Sequence, residues 1–142
     1  MDDQNIANAK KICEEFVNAI RGHLYWQWDG GFEAALAAFS YRDRDQIRAI
    51  LEGCLPNVWD RNSLSRSDYV THQIASKFGG LKDGQLMFTS DTRQDGFLFA
   101  VWWPWDSGDR ISIRVAPSAL NLSESDYATL VHTLKTLLGL AT

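Results

Sequence analysis

The sequence predicts an α+β fold. About four helices fill the N-terminal part, a three-stranded antiparallel meander follows at 84–90, 96–105 and 109–116, and a C-terminal helix at 123–139 packs on one sheet face. Two observations carry this. Apolar residues recur at helical spacing from Ile6 to Phe78, and the period changes to two beyond Gly84. Helical spacing returns after Ser123, which opens an S-x-x-D capping pattern. At 142 residues the chain is expected to form one domain, 1–142.

Ile6, Ala9, Cys13, Phe16, Val17, Ile20 and Leu24 make one stripe, which predicts a helix over 4–21. The aromatic stretch YWQW at 25–28 reads equally as the end of that helix or as a brief strand, and Asp29-Gly30-Gly31 breaks it. Phe32, Ala35, Leu36 and Phe39 then space as a second helix. Ser40 to Asp43 matches a capping pattern opening a third, with Ile47, Ile50, Leu51 and Cys54 on one face. Residues 57–68 read as a loop anchored by Trp59. Ser65 to Asp68 is another capping pattern, leading into a fourth helix with Val70, Ile74, Ala75 and Phe78. In the C-terminal helix Tyr127, Leu130, Val131, Leu134 and Leu138 face inward.

The hairpin FAVWWPWDSGDRISIRV, residues 99–115, holds three of the six tryptophans. A three-residue loop Asp106-Ser107-Gly108, with Gly108 in the left-handed position, sets Trp103 opposite Ile111, Val101 opposite Ile113 and Phe99 opposite Val115. In that register Trp103 is core, and its truncation to Ala costs about 3–5 kcal/mol. Trp102 lands on the outer face with Met87, Leu98, Arg110 and Arg114. Trp and Arg dominate interface hot spots, so Met87, Leu98, Trp102, Arg110 and Arg114 are the candidate partner-binding residues. A solvated Trp–Arg stack, or a helix covering this face, are the competing readings of the same pattern.

Chemical motifs are sparse. His23, His72 and His132 have no metal spacing, and no nucleophile elbow, P-loop or dinucleotide fingerprint occurs. Asp91 to Gly96 begins like a calcium loop but has Arg93 at the third position and Trp102 at the twelfth. Neither a metal nor a cofactor is expected. Cys13 and Cys54 fall on predicted apolar stripes, as reduced buried thiols do. The 14 Lys+Arg against 18 Asp+Glu give a net charge of −4, which argues against a nucleic-acid partner. The N-terminus has no signal-peptide pattern and no apolar run reaches membrane-spanning length, so a cytoplasmic protein without a membrane partner is expected.

In size, acidity and aromatic content, though in no motif, the chain resembles bacterial immunity proteins that neutralise toxins, and also effector chaperones. The leading expectation is therefore a non-enzymatic protein-binding module that occludes a partner such as a toxin. The alternatives are an effector chaperone, a homodimer pairing its outer sheet faces, and a small-molecule-binding or enzymatic domain. The last would use a pocket of Trp26, Trp28, Asp29, Trp59 and Asp60.

Overall fold

The computed structural model describes the backbone of residues 3–140 and the side chains of residues 6–140. Helix α1 (Asp3–Ile20) leads into strands β1 (Gln27–Asp29) and β2 (Ala34–Ser40). A 3-10 turn (Tyr41–Asp43) and helix α2 (Arg44–Cys54) come next, then β3 (Asn57–Trp59), a second 3-10 turn (Leu64–Arg66) and helix α3 (Tyr69–Lys77). The chain continues through β4 (Leu86–Thr89), β5 (Leu98–Pro104) and β6 (Arg110–Pro117) to helix α4 (Glu124–Leu137). The six strands form one antiparallel sheet in the order β1-β2-β6-β5-β4-β3.

The expected architecture needs correction. The class is α+β, but the sheet has six strands rather than three. The expected second helix is strand β2, at the heart of the sheet between β1 and β6. Its alanines score as helix formers, and Phe32, Ala35, Leu36 and Phe39 match helical spacing by coincidence. Tertiary pairing decides otherwise: Ala35, Ala37 and Phe39 alternate into the core, and the small side chains let helices approach closely. Residues 57–59, expected as loop, form the short edge strand β3 against β4. YWQW is not the end of the helix: Tyr25 and Trp26 are irregular, and Gln27 and Trp28 begin β1, with Gln27 opposite Leu36.

Helices α1, α2 and α4 cover one face of the sheet. Phe16, Ile20, Leu51 and Leu134 pack there on Phe39, Phe88, Trp102, Ile113 and Val115. The opposite face carries a second core, where α3 and the turn before it set Leu64, Ile74, Ala75 and Phe78 against Met87, Phe99, Val101 and Ala116. This second cover explains why β5 is apolar on both sides.

The hairpin register differs from the expected one by one residue. Trp105 N–H donates to the Arg110 carbonyl at 2.9 Å, so the loop has four residues, Asp106–Asp109. Gly108 is its third residue, at φ +78°, and donates to the Trp105 carbonyl at 2.9 Å. Trp102 then pairs with Ile113 and Trp103 with Ser112. Trp102 lies in the core under α1, α2 and α4, 5% exposed and edge-on to Phe39 at 5.4 Å, while Trp103 is partly buried on the other face, edge-on to Phe32 and Phe78 at 5.8 Å. Both parities of β5 are apolar, so the pattern fits either register; the turn and the second core choose between them.

The caps are local and mostly as expected. Ser123 accepts from Asp126 N–H at 3.0 Å to open α4. Ser40 accepts from Arg42 N–H at 3.3 Å and opens the 3-10 turn ahead of α2. At α3 the cap is Asp68, not Ser65, and it accepts from Thr71 N–H at 2.8 Å.

Candidate functional site

The predicted partner-binding residues separate. Met87 and Leu98 are fully interior, and Trp102 is 5% exposed, so the three offer a partner almost no side-chain surface. Arg114 is 16% exposed. Its guanidinium lies 4.5 Å from the Trp103 ring centre and 5.1 Å from that of Phe32, and it donates to Asp29 at 2.9 Å. A Trp–Arg stack therefore exists on this face, built on Trp103 rather than Trp102. It pins the β1–β2 connection, because Asp29 also accepts from the N–H groups of Gly31 and Phe32. The Arg114 hydrogen bond, against the opposing cost of burial, holds the Asp29 carboxyl below its ordinary range.

The aromatic pocket expected from Trp26, Trp28, Asp29, Trp59 and Asp60 is not assembled. Trp26 and Trp28 pack beneath the three-helix layer, Trp28 under Lys135 at 4.4 Å. Trp59 belongs to the core under α3, on the strand at the other edge of the sheet. Asp29 is committed to Arg114. Asp60 closes its own turn, accepting from Ser63 N–H at 2.7 Å, which lowers its pKa.

One end of the strands gathers what the surface offers. Trp105 follows β5 and is 45% exposed, and the Arg110 guanidinium lies 5.5 Å from its ring centre. Trp105 Nε1 donates to Ser112 Oγ at 2.7 Å, which fixes the ring. Tyr41 follows β2 and is 44% exposed, with Arg44 stacked 3.9 Å from its ring centre. The two units are tied together, because Tyr41 N–H donates to the Asp109 carbonyl at 2.9 Å. Behind them a groove of about 380 Å³ runs between α2 and the sheet, floored by Leu86, Pro104 and Ile111 and walled by Arg44 and Arg48. Of the predicted set, Arg110 belongs to this surface, and the edge of Trp102, 5% exposed, lines the groove behind it.

Trp105, Tyr41 and Arg44 are the residues the sequence reading missed. Trp105 belongs to the hairpin 99–115, but a three-residue loop puts it opposite Asp109 rather than beside Arg110 and Ser112. Tyr41 and Arg44 have a legible signal, an aromatic and an arginine three apart just after a capping serine. Their pairing with Trp105 depends on β2 lying beside β6, which helical spacing concealed.

Among the described residues no group of three His, Cys, Asp or Glu side chains converges as a metal site. Burial pushes the Cys13 thiol up to about 12, and it raises Cys54 as well, so neither is poised as a thiolate. Asp91, at the head of the segment compared with a calcium loop, pairs with Arg93 at 2.9 Å. Among the described residues no helix is long and apolar enough to cross a membrane. Comparison of the chain with family models, curated proteins and solved structures gave no match.

Proposed function

We propose that this chain is a non-enzymatic protein-binding module whose contact surface is the strand end bearing Trp105, Arg110, Tyr41 and Arg44. The observation that carries the reading is the pair of half-exposed aromatic rings, each under a guanidinium, joined by the Tyr41–Asp109 backbone bond. Exposed Trp, Tyr and Arg are the residues that concentrate binding energy. Here they are held before any partner arrives, which lowers the entropic cost of association.

The two sheet edges are poor alternatives for docking a strand. β1 and β3 have three residues each, too few for a long backbone ladder. The charges around the surface are close to balanced. Arg42, Arg44, Arg48 and Arg110 stand against Asp43, Asp45, Asp106 and Asp109, and Arg48 is itself paired with Glu52 at 2.7 Å. Recognition would then rest on individual charge pairs rather than a net field, and the association rate should depend only weakly on salt. A toxin occluded by this surface is the narrower form of the same proposal.

The test is affinity capture from the source cell in parallel with variants. A partner held by the wild type and by Tyr69→Ala, but lost with Trp105→Ala and Arg110→Glu, supports the surface. Tyr69 is 75% exposed and starts α3, which is tied through Asp68 to Thr92 at the other end of the strands. Equal capture by all four proteins overturns it. If the partner is an enzyme, equimolar wild type must lower its activity and Arg110→Glu must not. Sedimentation at micromolar concentration should show a monomer; a dimer abolished by Trp105→Ala would replace the separate partner with a second copy.

A further inference from the structure

A second concavity lies at the opposite end of the strands and plays no part in the surface above. It has a volume of about 240 Å³ and runs between α3 and the β6–α4 connection. Its floor is Ile74, Phe99, Ala116 and Pro117, and Leu120, 38% exposed, stands at the mouth. The space exists because Ala116 and Ala119 are short where the layers would otherwise close. Gln73 and Lys77, the i and i+4 positions of one face of α3, form the wall above Ile74.

The polar groups around this apolar floor are few. The Gln73 amide is engaged with the Tyr69 hydroxyl, and Ser118 Oγ accepts from Leu120 N–H at 3.2 Å. Lys77 is the only charged side chain of the lining, and among the described residues it enters none of the ion pairs. On the Tyr127 side the charge of Glu33 adds to burial in raising the tyrosine's pKa, so that side disfavours an anion.

We propose that this groove binds a small apolar carboxylate, such as a medium-chain alkanoate, with its chain on Ile74, Phe99 and Ala116 and its head group at Lys77. A pocket with an apolar floor and one cation at its rim selects by shape and by charge sign together. The groove is sized for a short chain, below the range of drug-sized ligands.

The test is a two-dimensional amide NMR titration of the full chain with octanoate, octanol and octylamine. Octanoate should give saturable shifts confined to 73–77, 99, 116, 118–120 and 127. Octylamine, and octanoate with Lys77→Glu, should bind about tenfold more weakly or worse, as expected for the loss of one charge-assisted hydrogen bond. Ala119→Phe, at an exposed position, should fill the groove and abolish the shifts while keeping the dispersed spectrum of the folded chain. Equal binding of all three compounds, indifference to Lys77→Glu, shifts elsewhere, or no saturable shift would each overturn the proposal.

Discussion

At the scale of the residue, two tryptophans three apart in one hairpin, Trp102 and Trp105, have opposite fates. Trp102 packs among Phe39, Phe88 and Ile113 in the helix-covered core. Trp102→Ala should cost about 3–5 kcal/mol in urea unfolding, whereas Trp105→Ala, at a half-exposed position, should cost about 1 kcal/mol or less. The Asp29–Arg114 pair gives a pH signature. The Asp29 carboxyl is held below its ordinary range in the folded chain. Its contribution to stability is therefore fully present above the unfolded-state pKa and is lost as pH falls through the folded-state value. The stability difference between wild type and Asp29→Asn should shrink as the solution is acidified, and a difference constant with pH would remove the pair from the acid response.

At the scale of the element, α4 is held by its buried face, and two local features, its cap and a close approach by Gly96, add to that packing. Ser123 caps it, and Ser123→Ala should lower stability by about 0.5–2 kcal/mol in urea melts. Gly96, at φ +73°, lets the backbone before β5 pass beneath the helix. A Cβ at Gly96 would stand 2.6 Å from Leu130 Cδ1 and 3.3 Å from Leu122 Cδ1. Gly96→Ala combines a left-handed backbone with a steric clash, so it should destabilise by about 1–3 kcal/mol. Gly108→Ala meets no neighbouring atom within 4 Å and should cost only the backbone term, about 1 kcal/mol. Thermal unfolding of the two glycine variants side by side checks that order. α1 and α4 were legible because amphipathic spacing and a serine cap are local signals. β2 was not, because seven residues of mostly alanine carry no strand signal until β1 and β6 flank them.

At the scale of the whole molecule, the second core under α3 governs how the sequence must be read. It buries the face of β4 and β5 that an uncovered sheet would turn to solvent, and with it Met87. Much of the candidate binding set was lost to this cover and to the register; Arg110 survived because it lies at the strand end beyond α3. The proposed surface makes a prediction at this scale too. Stopped-flow association with a captured partner should slow by less than about threefold between low and physiological salt, since balanced charges give little long-range steering. A much steeper fall would point to a strongly charged face elsewhere.

By itself the sequence determined the α+β class, helices α1 and α4, and β4, β5 and β6 as consecutive antiparallel neighbours, though not the six-stranded sheet they belong to. Each follows from signals within a few residues of one another: apolar period, caps and turn glycines. Only the tertiary structure decided that residues 34–40 pair as a strand, that the hairpin loop has four residues, and that Trp102 lies inside while Trp105 meets solvent. The reason is that β5 is apolar at both parities. A period-two pattern fixes a face only when the other face is polar, and here two cores, one on each side of the sheet, had to be assembled before the register had one answer.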